Sequence, residues 1–162
     1  KIRIGKLGDD HPDVGASYNN IALVYNNKRE YGKAIDFFKK SLAIRIAKLG
    51  IDHPDLTVAY NSMGYSYYKQ EKYDQSLEFF EKSMMIKIKK LGVNHPDIAG
   101  CYLGIANVYN QQERYDDALN LYEKALVLQI PKYGKDNDRV HKTQTKISET
   151  LEKINIKERN EN

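Results

Sequence analysis

The chain has 162 residues, enough for one domain with a continuous core, and its 26 Lys and Arg exceed its 22 Asp and Glu by only four. So mild an excess is not the clustered basic face of a nucleic-acid binder, and no apolar run approaches the roughly 18–20 residues that span a bilayer. One cysteine, Cys101, excludes an internal disulfide and fits a reducing compartment, so a cytoplasmic location is expected.

Residues 1–8 read as the end of an element. Ile2-Arg3-Ile4-Gly5-Lys6-Leu7-Gly8 matches Ile44-Arg45-Ile46-Ala47-Lys48-Leu49-Gly50, the close of a later helix. They are expected to be the tail of a truncated preceding repeat, cut from a longer array. The phrase Lys6-Leu7-Gly8-Asp9-Asp10-His11-Pro12-Asp13 then returns as Lys48-Leu49-Gly50-Ile51-Asp52-His53-Pro54-Asp55 and as Lys90-Leu91-Gly92-Val93-Asn94-His95-Pro96-Asp97. The His-Pro-Asp triplets fall 42 residues apart. A worn fourth copy, Lys132-Tyr133-Gly134-Lys135-Asp136-Asn137-Asp138-Arg139, keeps the interval without the Pro. A fixed period of this length is the signature of stacked repeats. Each phrase reads as a helix stop followed by a helix start. Gly8, Gly50, Gly92 and Gly134 suit a left-handed C-cap, and Pro12, Pro54 and Pro96 suit the first turn of the next helix. Asp10, Asp52 and Asn94 are expected to cap the new helix, with Asp13, Asp55 and Asp97 adding charge near its positive end.

The expected division is a repeat at 9–50, a second at 51–92, a third at 93–134, a C-terminal capping helix at 135–156 and a frayed tail at 157–162. In the first repeat, a helix over about 12–28 puts Val14, Tyr18, Ile21, Ala22 and Tyr25 on one stripe. A turn at Arg29-Glu30 leads to a helix over about 31–49 whose stripe is Tyr31, Ala34, Ile35, Phe38, Ser41, Leu42, Ile46 and Leu49. So short a link makes the two helices antiparallel neighbours. The second repeat offers Leu56, Tyr60, Met63, Gly64 and Tyr67, then Tyr73, Ser76, Leu77, Phe80, Ser83, Met84 and Leu91. The third offers Ile98, Tyr102, Ile105, Ala106 and Tyr109, then Tyr115, Ala118, Leu119, Tyr122, Ala125, Leu126 and Ile130. Small residues stand opposite large aromatics, which lets neighbouring helices interdigitate. Pro131 is expected to kink or end its helix near Gln129 or Ile130. The last segment keeps Val140, Ile147, Leu151 and Ile154 as its apolar stripe, the one-sided pattern of a terminal cap. The expected fold is all-α, a solenoid of stacked antiparallel helix pairs.

These positions resemble the tetratricopeptide repeat (TPR). Tyr18-x-x-Ile21-Ala22-x-x-Tyr25 with Ala34, Phe38 and Ser41 carries its pattern; so do Tyr60, Met63, Gly64, Tyr67, Ser76, Phe80, Ser83 and Tyr102, Ile105, Ala106, Tyr109, Ala118, Tyr122, Ala125. The period exceeds the common spacing of about 34 residues. The longer form looks like the repeats of kinesin light chain and its relatives, on Asp10-His11-Pro12-Asp13-Val14, Asn19-Asn20-Ile21-Ala22-Leu23 and Ser41-Leu42-Ala43-Ile44-Arg45. The resemblance implies a right-handed superhelix with the first helices lining its concave side. It also implies a non-catalytic protein–protein interaction module, a scaffold or adaptor.

With the stripes buried, the concave face must come from the rest of each first helix. The expected peptide-binding residues are Asn19, Asn20, Leu23, Asn26 and Asn27, then Asn61, Tyr65, Tyr68 and Lys69, then Asn107, Asn110 and Gln111. Amide side chains donate and accept, so they can hold an extended backbone. Exposed tyrosines supply flat amphipathic contact area. Asn is a poor helix former, so its recurrence asks for a reason beyond helix stability. The resemblance implies an acidic partner peptide with an aromatic anchor. Asn19 and Asn20 match the paired Asn of kinesin light chain and Asn61 the first of them, while Ser62 and Leu103-Gly104 depart from it. The alternative is a structural or self-association segment of a larger multidomain signalling protein, with Ile2, Ile4 and Leu7 favouring end-to-end packing.

No chemistry competes with this reading. His11, His53 and His95 recur once per repeat, on the order of 15–20 Å apart when helices pack 8–10 Å from each other, too far to share an ion. They read as parts of the corners, so no metal is expected. Cys101 lacks a base and an orienting partner in its helix, so no catalytic role is expected. The glycines stand in no phosphate-binding arrangement, so no cofactor is expected either. Nor is nucleic-acid binding or membrane insertion.

Overall fold

The structure is a computed structural model that describes residues 11–161. Every element among them is helical: α1 (Pro12–Asn27), α2 (Tyr31–Leu49), α3 (Thr57–Lys69), α4 (Tyr73–Leu91), α5 (Ala99–Gln111), α6 (Tyr115–Tyr133) and α7 (Asp138–Glu161). Short 3-10 turns, Pro54–Leu56 and Pro96–Ile98, lead into α3 and α5. The chain divides into two compact units, residues 1–86 and 87–162, with the boundary inside α4. The expected helix tail over residues 1–8, the Gly8 corner and the Asp10 cap lie outside the described residues.

Two kinds of helix end alternate. The first helix of each pair stops in a Schellman motif, in which the amide two residues past the C-cap reaches back to a carbonyl five residues earlier. Glu30 N–H donates to Tyr25 O, Lys72 N–H to Tyr67 O and Arg114 N–H to Tyr109 O, at 2.9–3.0 Å. The left-handed residue this demands is Arg29, Glu71 or Glu113, with φ of 61°, 60° and 59°, and none is a glycine. The second helix of each pair stops at Gly50, Gly92 or Gly134. Their φ values are positive, as expected, but Gly50 and Gly134 have ψ near 160° (163° and 159°), far from the left-handed helical well. That region is essentially closed to any side chain.

The helix starts correct one expectation. The capping acceptor observed is the histidine rather than the residue expected before it, Asp10 itself lying outside the described residues. Nδ1 of His11, His53 and His95 accepts the backbone N–H of Asp13, Asp55 and Asp97, at 3.2 Å in all three. Proline at the next position fixes the chain so that a ring nitrogen two residues upstream reaches the free amide. In the worn fourth corner Asn137 takes the part, its Oδ1 accepting from Arg139 N–H at 2.9 Å.

In residues 11–86, α1 packs on α2 and α3 on the first part of α4. The core joins Ala22, Ala34, Ile35, Phe38 and Leu42 to Leu56, Ala59, Tyr60, Met63, Tyr67 and Ile86. Two aromatic sandwiches repeat almost identically: Phe37 stacks on Tyr25 at 5.4 Å and leans on Tyr18 at 6.0 Å, and Phe79 does the same with Tyr67 and Tyr60. In residues 87–162, Ala106, Ala118 and Tyr122 form the core, with Leu103, Tyr109, Leu121 and Ile147 against it. Leu121 stands where Phe37 and Phe79 stand earlier, 42 residues on from Phe79.

The small residues of the second helices turn out to differ in kind. Ser41 Oγ donates to Gly15 O at 2.7 Å, Ser83 Oγ to Thr57 O at 3.0 Å and Ser76 Oγ to Gly64 O at 2.8 Å, all buried. Each hydroxyl ties a second helix to its first. Ala125 and Ala118 fill the matching places in residues 87–162 by size alone.

Three further expectations are corrected. Pro131 does not end its helix at Gln129 or Ile130: α6 runs through it to Tyr133, and Gly134 N–H still reaches Ile130 O at 2.9 Å. Proline so near the end removes one hydrogen bond from the last turn, a small loss beside the packing of the whole helix. Leu151 is 44% exposed, and the buried line of α7 is Val140, Thr143 and Thr150, with Thr143 Oγ1 donating to Gln129 Oε1 at 2.8 Å. Threonine reads as surface in a hydropathy pattern, yet it buries when its hydroxyl finds a partner. The segment expected to fray continues as helix to Glu161, on the helix-forming Lys, Glu and Arg of its sequence.

Candidate functional site

The twelve expected peptide-binding residues do not share one environment. On α1, Asn20 and Asn27 are exposed and Leu23 is half-buried against the core. Asn19 is a correction: it is only 7% exposed, and its Oδ1 is buried without a hydrogen-bond partner. A first helix in a stack touches more than its own second helix, so more than one stripe is covered and Asn19 falls on the second. Asn26 is half-buried, and its Oδ1 accepts from Ser66 Oγ of α3 at 3.0 Å. Its amide serves to join two first helices.

On α3, Asn61 is half-buried, Tyr65 is 43% exposed, Tyr68 is half-buried and Lys69 is exposed. Here the structure brings expected residues together and adds two more. Tyr31 of α2 meets Tyr65 edge-on at 6.3 Å between ring centres, and Tyr73 of α4 meets Tyr68 at 6.4 Å. The Lys69 ammonium lies 5.5 Å from both the Tyr65 and the Tyr68 ring centres. Four tyrosines and one lysine thus form a continuous patch. Desolvation, then the nearby Glu71 carboxylate and then Tyr68, push the Tyr73 hydroxyl above its ordinary pKa. Sequence reasoning had placed Tyr31 and Tyr73 in the core stripe. The available signal was that a tyrosine opens every second helix, at 31, 73 and 115.

In residues 87–162 the equivalent face is held by α7. Asn107 Oδ1 accepts from Tyr122 O–H at 2.8 Å and from Lys146 Nζ at 2.7 Å. Asn110 Oδ1 accepts from Lys153 Nζ at 3.2 Å, and that ammonium also sits 5.5 Å from the centre of Tyr115. Gln111 is exposed. These amides bind their own chain, because the last helix lies where the next first helix of a stack would lie.

The chemical groups noted in the sequence are accounted for locally. Each corner histidine spends Nδ1 on a backbone amide. Among the described residues, no three His, Cys, Asp or Glu gather to hold a metal ion. Cys101 is buried, with Lys87 Nζ 3.6 Å from its Sγ. That lysine also donates to Asp97 O at 3.1 Å, as Arg45 does to Asp55 O at 2.7 Å. Among the described residues, no helix is long and apolar enough to cross a membrane.

Paired helices joined by tight turns and corners, offering a face of first-helix side chains, define the class of helical-repeat proteins. The chain belongs to the tetratricopeptide repeat family, whose model matches residues 13–89 and 55–130. Among solved structures it is similar to BtubC (BKLC) from P. vanneervenii, with a TM-score of 0.83 at 16% identity over 94% of this chain and 61% of that one. It is also similar to kinesin light chain-like repeats from Podosopora anserina, with a TM-score of 0.77 at 18% identity over 90% of this chain and 69% of that one. The Sgt2 TPR domain from Aspergillus fumigatus aligns with a TM-score of 0.67 at 16% identity, covering 90% of this chain and 82% of that one. No curated protein sequence matches the chain. The chain spans about three-fifths of the length of BtubC (61%), and likeness at such identities speaks for the fold alone. The family is generally a non-catalytic scaffold fold whose domains bind protein partners.

Proposed function

We propose that this chain is an adaptor module that captures an extended segment of a protein partner on its first-helix face, chiefly within residues 11–86. The observation that carries the reading is the Tyr31–Tyr65–Lys69–Tyr68–Tyr73 patch with Tyr65 at 43% exposure. Aromatic rings left partly open at low conformational-entropy cost are what binding hot spots are made of. Asn61 stands one turn before Tyr65 on the same face of α3, and its amide can hold a backbone. Asn20 and Asn27 add exposed amides on α1. Over residues 87–162, a ligand reaching Asn107 and Asn110 has to displace Lys146 and Lys153 first. We place the module in the cytoplasm, in keeping with its lone, reduced Cys101.

The test is selection of random fifteen-residue peptides on the whole chain. Enriched peptides are expected to lose binding to Tyr65→Ala and Asn61→Ala and to keep it for Met85→Ala, a residue 67% exposed on a second helix. Peptides that bind Tyr65→Ala and Asn61→Ala as well as the unaltered chain would remove the proposal.

A further inference from the structure

We infer that α1 and α2 together present a docking face for one amphipathic helix of a partner polypeptide, a helix patterned like α2 itself. The face is Ser17, Ile21 and Val24, one stripe of α1, with Ile44 of α2 beside it. Gly15 has no side chain, so Ile44 lies close against α1 and widens the stripe. Val24 is 53% exposed, and Ser17, Ile21 and Ile44 are half-buried. The positions 42 residues further on are Ala59, Met63, Ser66 and Ile86, and these are closed, at 0%, 0%, 0% and 6% exposure. The groups that close them lie on the preceding helix pair. Ala59, Met63 and Ile86 share a core with Ile35, Leu42 and Ile46 of α2, and Ser66 Oγ donates to Asn26 Oδ1 of α1. The open face is thus the same interface one step earlier in the stack, with its other side bare.

The closed interface says what the open one takes. The stripe carries no charge, and Ser17 spends its hydroxyl on Asp13 O at 2.8 Å. Recognition therefore falls to aliphatic packing, and a helix laid on such a face is read through apolar anchors at helical spacing. Ile35, Leu42 and Ile46, seven and four residues apart, are that set of anchors where the interface is complete. A second copy of this chain is a poor source. Its α2 has spent those side chains in the core, and the open side of its α7 shows Gln144, Ser148 and Asn155 around Leu151, one aliphatic among polar groups. The occupant is a partner's helix with three aliphatics in line. This face is separate from the tyrosine patch, and the inference does not rest on peptide capture there.

The probe is a fluorescent synthetic peptide with the sequence of α2, Tyr31–Leu49, bridged on its polar side to hold it helical and titrated with the whole chain. It is expected to bind, and Val24→Lys and Ser17→Lys each to weaken it by about tenfold or more, since an ammonium on the stripe would be buried unpaired. Met85→Lys should leave binding unchanged. A peptide carrying Ile35→Asn, Leu42→Asn and Ile46→Asn should not bind. In the unaltered chain, the methyl resonances of Ile21, Val24 and Ile44 should shift on addition of the probe, a readout that does not depend on any variant folding. A probe that fails to bind, that binds without shifting these methyls, or that binds Val24→Lys and Ser17→Lys as well as the unaltered chain overturns the inference. So does a dimer of the chain alone that Val24→Lys dissociates, which would give the face to a second copy.

Discussion

His53 works at its corner as a hydrogen-bond acceptor, and the fourth corner shows which feature of it matters. Asn137 keeps the acceptor and dispenses with the ring. His53→Asn is therefore expected to fold as stably as the unaltered chain, while His53→Ala should lose about 1 kcal/mol, read from urea denaturation. A different kind of residue effect belongs to Gly64. A Cβ there would meet the Phe80 ring at 2.8 Å, and Phe80 is 3% exposed with no room to withdraw. Overpacking of this kind costs about 1–3 kcal/mol, against roughly 1 kcal/mol by which Ala improves on Gly in a helix. Gly64→Ala should thus be net destabilising in the same assay. Gly15→Ala, whose nearest neighbour is Ile44 Cγ2 at 3.4 Å, should be neutral or better. Asp97 gives the pH dependence. Its hydrogen bond from Lys132 holds its pKa below the ordinary carboxylate value. A depressed folded-state pKa means that the contribution is complete above the unfolded value and is lost as pH falls through the folded one. The Asp97 carboxyl resonance should accordingly titrate below the usual range, and Lys132→Met should raise it, His95 and Lys87 still acting in the lowering direction. The corner glycines and prolines were readable from the sequence because backbone limits are intrinsic to residue type, whereas the core stripes were readable in part, Leu49, Leu91 and Leu151 being exposed. The capping role of histidine was not, because it depends on where proline turns the chain.

At the scale of the helix, the informative contrast is between Ser41 and Ser83 on one side and Ala125 on the other. By size alone the three are interchangeable. In the structure the two hydroxyls bind buried carbonyls of the paired helix, and Ala125 makes no such bond. Ser41→Ala should cost about 0.5–1.5 kcal/mol, the net value of one internal hydrogen bond. Calorimetry that finds Ser41→Ala as stable as the unaltered chain would show that size alone matters here. The same limit explains Phe37 and Phe79. They sit beside the strongest core positions, Phe38 and Phe80, and outside the hydropathy stripe, yet each is gripped between two tyrosines. A periodic pattern finds the middle of a buried face and undercounts its flanks. Asn19, expected at the surface and found buried, errs by the same geometry.

For the molecule as a whole, the repeat interval was the most legible feature, since recurrence of the whole phrase at 42 residues survives the loss of any one residue. The candidate site was legible only in part. Tyr65, Tyr68 and Lys69 were found from helical spacing, but Tyr31 and Tyr73 reach them from other helices, and the lysines that occupy Asn107 and Asn110 come from α7. Such encounters are a property of the packed chain, and their one local trace is the tyrosine that opens every second helix. The knuckles between paired helices carry a last implication. Arg29, Glu71 and Glu113 hold a posture that costs a side chain roughly 1–2 kcal/mol, more than the 0.5–1 kcal/mol of extra freedom glycine has when unfolded. Slack therefore remains in the design. Arg29→Gly combined with Glu113→Gly should raise the melting temperature, so a hardier variant of this chain lies two substitutions away, on surfaces where nothing is expected to dock.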